Sequence, residues 1–214
     1  MNDIRQRPAS ALAFMASGII YFTGEFIAAA AWTDPPYSYT HHFISNLGVH
    51  GPLTAFGQYM YSPLASLMNI GLVLTGLAVL TAVTMLKGLP GGRRAATVIT
   101  AAVLAIGMIL VGLFPGDGGT GGTDYHGIGA ILAFLSGNVL VILLGRAHQP
   151  LGTSSGLGRL LTVAGALGLL SLVIFGIILA SGAGVLIGLS ERGIIYPFLI
   201  GFVLLGAAFR RRRA

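Results

Sequence analysis

Six runs of about twenty apolar residues follow one another along the chain, separated by shorter segments that hold most of the charge. A hydrocarbon core about 30 Å thick takes about 20 helical residues to cross. The runs place spans at about 9–32, 59–86, 95–114, 127–144, 160–181 and 193–209. Lipid offers no water to an exposed backbone amide, so each span must be a helix. Strands of a membrane β-barrel would instead be short and alternating. The expected fold is all-α, a polytopic bundle of six transmembrane helices forming a single domain over 1–214. The first run follows Arg5 and Arg7 as a signal peptide would, but it is too long for an h-region and Glu25 interrupts it, so it reads as a span.

Charge sets the orientation. Eleven of the twelve Lys and Arg lie in the N-terminal tail, the second and fourth loops and the C-terminal tail, while five of the six Asp and Glu lie at or near the other face. Basic residues beside a span resist translocation, so both termini are expected in the cytoplasm and the protein in the cell membrane. The outer loops are then Thr33–Gln58, the glycine-rich Pro115–Tyr125, and a third around the apolar run Ala183–Leu189, read as an interfacial or re-entrant piece. Trp32, Tyr37, Tyr39, Tyr59 and Tyr61 suit an outer aromatic belt.

Composition agrees. Of 214 residues, 55% are hydrophobic and 8% charged, and the mean hydropathy is +0.86. Soluble domains carry about 25% charged residues. The net charge of +6 does not point to nucleic acid, because it is spread over juxtamembrane positions and the Arg210–Arg213 tail, which suits anionic headgroups. Membrane lipid is the expected partner. Cysteine is absent, which excludes disulfides, thiolate catalysis and cysteine-ligated metal.

Ionisable residues inside spans are expensive and mark candidate sites. Glu25 lies about 10 Å below the outer boundary of the first span, with Ser17, Tyr21 and Ala28 on its face. Asn69, about 15 Å deep in the second span, and Asn138 in the fourth are the other deep polar groups. Gly165, Gly168 and Gly176 read as helix-packing positions. Around the outer ends stand Asp34, His41, His42, His50, Asp117, Asp124, His126, Glu191 and Arg192. Asp124 suits the N-cap of the fourth span. Arg192, the sole cation among these acids, is expected to pair with one of them, and its neighbour Glu191 to face elsewhere. His41, His42, His126 and Asp117 are candidate metal ligands by type, although no zinc-ligand spacing is present.

Four patches resemble a known family when taken together: Ile44-Ser45-Asn46-Leu47-Gly48, Leu113-Phe114-Pro115-Gly116-Asp117, His126-Gly127 and Gly188-Leu189-Ser190-Glu191-Arg192-Gly193. The set resembles the six-span bacterial and archaeal proteins grouped as domain of unknown function 998. The family pattern carries Asp where this chain has Asn46. The resemblance implies a shared site at Ser45, Asn46, Asp117, His126, Glu191 and Arg192.

These readings point to an outward-facing polar pocket that binds a lipid, a small ligand or a partner protein through Glu25, Ser45, Asn46, Asn69, Asp117, His126, Glu191 and Arg192. No catalytic set is recognisable and no cofactor is expected. A second reading is a metal-dependent lipid hydrolase or transferase using Ser45, Asp117 and His126. A third is a transporter with Glu25, Asn69 and Asn138 at a midplane site.

Overall fold

The computed structural model describes residues 6–116 and 123–211. Among these are six long helices: α1 (Pro8–Ala31), α2 (Ala65–Thr84), α3 (Gly91–Leu113), α4 (Tyr125–Arg146), α5 (Ser155–Ser181) and α6 (Ile187–Arg211). All six are long and apolar enough to cross a membrane. Five of them close a ring in the order α1, α2, α3, α4, α6. The sixth, α5, rides outside the ring in the groove between α4 and α6. It buries only Gly158, Leu161, Gly165 and Gly168. The rest of its surface, including Leu160, Leu167, Val173 and Ile177, faces outward, as a helix bathed in lipid should.

Glycine sets how closely the helices pack. A Cβ on Gly107 of α3 would stand 2.6 Å from the Ala133 nitrogen and 2.7 Å from the Gly129 carbonyl of α4. A Cβ on Gly145 of α4 would stand 2.6 Å from the Gly158 carbonyl of α5. Lipid tails are as apolar as leucine, so helices in a bilayer associate through such close backbone packing and not through hydrophobic burial. Gly165 and Gly168 also pack on α4, whereas Gly176 has nothing within 4 Å and takes no part in packing. Phe14, Phe198, Phe202 and Phe209 fill the α1–α6 seam, with Phe14 and Phe202 ring centroids 5.7 Å apart.

The two ends of the bundle differ. At the basic end the Gln6 side chain donates to the Lys87 carbonyl (3.0 Å) and accepts from the Lys87 amide (2.9 Å). Arg94 closes the C-terminus of α2 by donating to the Leu86 and Thr84 carbonyls at 2.8 and 3.0 Å, a placement the helix dipole favours. The N-terminal segment and the α2–α3 connection therefore meet on one side.

The other end is closed by the connection from α1 to α2. It forms a short 3₁₀ helix (Ile44–Gly48) and a hairpin of β1 (Leu53–Ala55) and β2 (Gln58–Met60). The 3₁₀ helix sits in the mouth of the ring against α1, α2 and α6, with Ile44, Leu47 and Val49 buried.

Several expectations change here. The second span starts at Ala65, because Tyr59 and Met60 pair with Thr54 and Leu53 in the hairpin. Asn69 is consequently one turn inside α2, about 6 Å from its start and not the expected depth of about 15 Å. Ile187–Leu189 of the third loop belongs to α6 and is not a separate piece. Trp32 is 2% exposed, so it is core and not belt.

Candidate functional site

Two neighbouring constellations occupy the loop end, one filled and one hollow. The filled one is built on Arg192, on the second turn of α6, and Glu25, on the second-last turn of α1. Arg192 donates to Glu25 Oε1 from Nε at 3.0 Å and from Nη2 at 2.9 Å. Tyr196, one turn further along α6, donates to the same oxygen at 2.9 Å. Nη2 also donates to the Tyr37 hydroxyl (2.6 Å), and Nη1 to the carbonyls of Tyr39 (2.7 Å) and Gly188 (3.0 Å). A guanidinium has five N–H donors, and all five are taken. The Tyr39 ring lies 4.8 Å and the Tyr37 ring 5.6 Å from the guanidinium carbon, close enough for cation–π attraction.

Local sequence explains this reach. Gly188 lets the loop carbonyls of Tyr39 and His42 lie against α6, since a Cβ there would collide with both. Burial pushes the Tyr37 hydroxyl well above the ordinary tyrosine range, against the pull of Arg192. It stays protonated and donates onward to the Phe43 carbonyl at 2.9 Å. His42 accepts the Ser38 amide on Nδ1 (2.9 Å) while its ring stacks on Trp32, 5.3 Å between centroids. Burial holds its pKa below the usual histidine value, with His41 and Arg192 adding to the shift. The ion pair is 5% and 0% exposed at its two side chains. Such a pair specifies geometry more than it adds stability, and losing either partner strands a buried charge.

The hollow constellation lies on the other side of Glu191. Being adjacent on one helix, Glu191 and Arg192 point apart, as expected. Glu191 accepts the Ile44 amide on Oε2 at 2.5 Å, which ties the 3₁₀ helix to α6. Its second oxygen makes no hydrogen bond among the described residues. Beside it is a cavity of about 30 Å³ lined by Ser45 and Ile44 from the roof, Glu191 and Phe198 from α6, and His126 and Phe134 from α4. Leu72, Met108, Val111, Ala130, Ala133 and Ile195 complete an apolar wall. A volume of this size admits a water or one small chemical group. His126 lies beside the Phe114 carbonyl, 2.7 Å from Nδ1; a carbonyl only accepts, so Nδ1 carries the proton.

The sequence-derived set therefore divides. Ser45, His126 and Glu191 line one cavity. Glu25 and Arg192 bind each other. Asn46 donates to Gln58 Oε1 at 2.6 Å, and Asn69 donates to the Gly48 carbonyl at 2.9 Å, so both hold the loop down. An amide suits position 46, because Gln58 spends its own N–H on the His41 carbonyl (2.6 Å) and presents an oxygen to Asn46. Asn138 donates to Phe134 and Ile194 carbonyls deep in the bundle. Glu25, Asn69 and Asn138 thus have separate hydrogen-bond partners.

His41 turns to Thr40, 2.7 Å away, and His42 to the Ser38 amide. Among the described residues no three potential metal ligands come together. Asp117 lies outside the described residues. Asp124 caps α4 as expected, accepting from the Gly127 amide at 2.8 Å.

Sequence reasoning missed Tyr37, Tyr196 and Gln58. Tyr196 had a signal, standing four residues after Arg192 on the same helical face. Tyr37 and Gln58 act through loop geometry that no periodicity reveals.

No curated protein and no solved structure matches the sequence. A family model does match, over residues 15–208, and its description is protein of unknown function (DUF998). The match spans most of the chain and includes all four sequence patches, so this six-helix chain belongs to that family.

Proposed function

We propose that the protein is a membrane-embedded binding protein, oriented with its basic end to the cytoplasm, whose extracytoplasmic cavity receives the polar end of a small amphiphile carrying a hydroxyl or amino group. The supporting observation is Glu191: a buried carboxyl with one oxygen bound to the Ile44 amide and the other without a hydrogen bond among the described residues, beside a cavity lined mostly by apolar side chains. Ligand pockets combine an apolar lining with a few convergent polar groups in this way.

The chemistry narrows the ligand. A phosphate or carboxylate is best held by a permanent cation, and the described residues of the cavity lining include no Lys or Arg. The nearby guanidinium of Arg192 has every donor engaged. The wall offers acceptors at Glu191 and Ser45, which suit an N–H or O–H donor. The distribution of Lys and Arg supports this orientation.

The reading is tested in nanodiscs with alkyl amines, alcohols and carboxylates of one chain length. Amine and alcohol are expected to raise the melting temperature, and the carboxylate is not. Glu191→Gln keeps an acceptor for Ile44 and should abolish the amine's effect. Equal stabilisation by all three, or an unchanged amine response in the variant, contradicts the proposal.

A further inference from the structure

Among the described residues only two that are not glycine have positive φ: Phe56 at 52° and Leu186 at 54°. Both are large, apolar and exposed, Phe56 by 67% and Leu186 by 43%. Both lie at the loop end of the bundle. Left-handed backbone is natural for Gly, Asn or Asp and unfavourable for bulky residues.

The local folds require this backbone but not these side chains. Ala55 pairs with Gln58, so Phe56-Gly57 is a two-residue hairpin loop with both φ values positive. Asn-Gly is the unstrained choice for such a turn. Leu186 occupies the residue immediately before α6, next to exposed Val185. In each case a strained position holds an apolar side chain directed away from the core, and strained positions of this kind point to function.

We propose that the hairpin tip at Phe56 and the corner at Val185–Leu186 are contacts with the bilayer interface at the loop end of the molecule. Their surroundings favour lipid over a protein partner. Residues 51–66 and 173–190 contain no Asp, Glu, Lys or Arg, so neither segment brings a charge of its own to a polar protein interface. Exposed Tyr59 and Tyr61 flank the tip, and tyrosine is a residue of membrane–water interfaces. The exposed line then runs through Leu64 and Leu67 into the outward face of α2. Beyond Leu186 it continues through Leu189 on α6. Gln58 fixes the hairpin's inner face through the His41 carbonyl and Asn46, so the aromatic face is presented outward. The two contacts would seat the roof of the cavity against the membrane surface.

The absence of cysteine makes a single introduced thiol a unique label. Phe56→Cys and Leu186→Cys are spin-labelled and reconstituted in phosphatidylcholine–phosphatidylglycerol vesicles. Leu67→Cys serves as the lipid-facing reference and Asp34→Cys as the aqueous one. Collision with oxygen is expected to exceed collision with a water-soluble nickel chelate several-fold at both test positions, as at position 67. A water-like profile at position 56 or 186 overturns the proposal and leaves a protein as the occupant. If the Phe56 cysteine variant does not fold, Phe56→Trp in a Trp32→Phe background reads the same contact. Brominated lipid should then quench its fluorescence at least two-fold, and unquenched emission overturns the proposal.

Discussion

Arg192 shows how far one side chain can organise a membrane protein's end. It joins α1, α6 and the loop between α1 and α2 through donors to Glu25, Tyr37 and three backbone carbonyls. Glu25→Gln leaves the guanidinium buried without a counter-charge. Losing one partner of a buried pair costs about 3–5 kcal/mol. The expected outcome is a loss of that size in unfolding free energy in detergent, and a loss below about 1 kcal/mol would show that the pair is not needed to hold the loop.

His42 contributes a pH dependence. Its Nδ1 must be unprotonated to accept the Ser38 amide, and its folded pKa is lowered. The unfolded chain takes up the proton first as pH falls below about 6.5. Stability contributed by His42 is therefore complete above that value and is lost as pH falls toward the folded pKa. His42→Asn offers an oxygen acceptor that does not titrate. Melting temperature followed between pH 8 and 5 should drop more steeply in the natural protein than in the variant. Parallel curves would remove the role assigned to this imidazole.

At this scale the sequence was partly legible. Spacing showed that Glu191 and Arg192 diverge and that Asp124 caps α4. It did not show that Glu25, 167 positions from Arg192, is the acid that Arg192 meets. Pairing across that separation is decided by which helices close the ring.

Among the elements, helix existence followed from length and hydropathy, while helix order in the ring did not. All six helices present apolar surface, so hydropathy alone gives no hint that α5 stands outside. The glycines carry that information. Gly107→Ala puts a methyl group 2.6 Å from the Ala133 nitrogen and forces α3 from α4. Overpacking costs about 1–3 kcal/mol, so this variant should lose stability in that range. Gly176→Ala meets nothing within 4 Å and should stay within about 0.5 kcal/mol of the natural protein. Equal effects in the two variants would contradict the assigned packing.

The loop was the least legible element. Ile44, Leu47 and Val49 are too few and too close to register as a helix, yet they fill the mouth of the ring. Tyr59 and Met60 read as the start of a span because their hydropathy matches it, and strand pairing removed them.

For the molecule as a whole, the picture is of a ring of helices tied together by Gln6 and Arg94 at a basic end. At the other end the 3₁₀ helix and hairpin close the ring over the largely apolar cavity that Glu191 lines. Sidedness of charge predicted that chemistry would gather at one end, and the chemistry-bearing residues Glu25, Ser45, His126, Glu191 and Arg192 do lie there together. Their division into an ion pair and a cavity depends on which way adjacent side chains leave α6.

The central claim is an extracytoplasmic cavity governed by the Glu191 carboxyl. Ser45→Cys places the chain's only thiol on its wall. Intact cells and inside-out vesicles are treated with membrane-impermeant cationic and anionic methanethiosulfonates. Modification is predicted in intact cells, several-fold faster with the cation, and Glu191→Gln should erase that preference. Reaction confined to inside-out vesicles, or a rate indifferent to reagent charge in the Glu191 protein, would contradict the account.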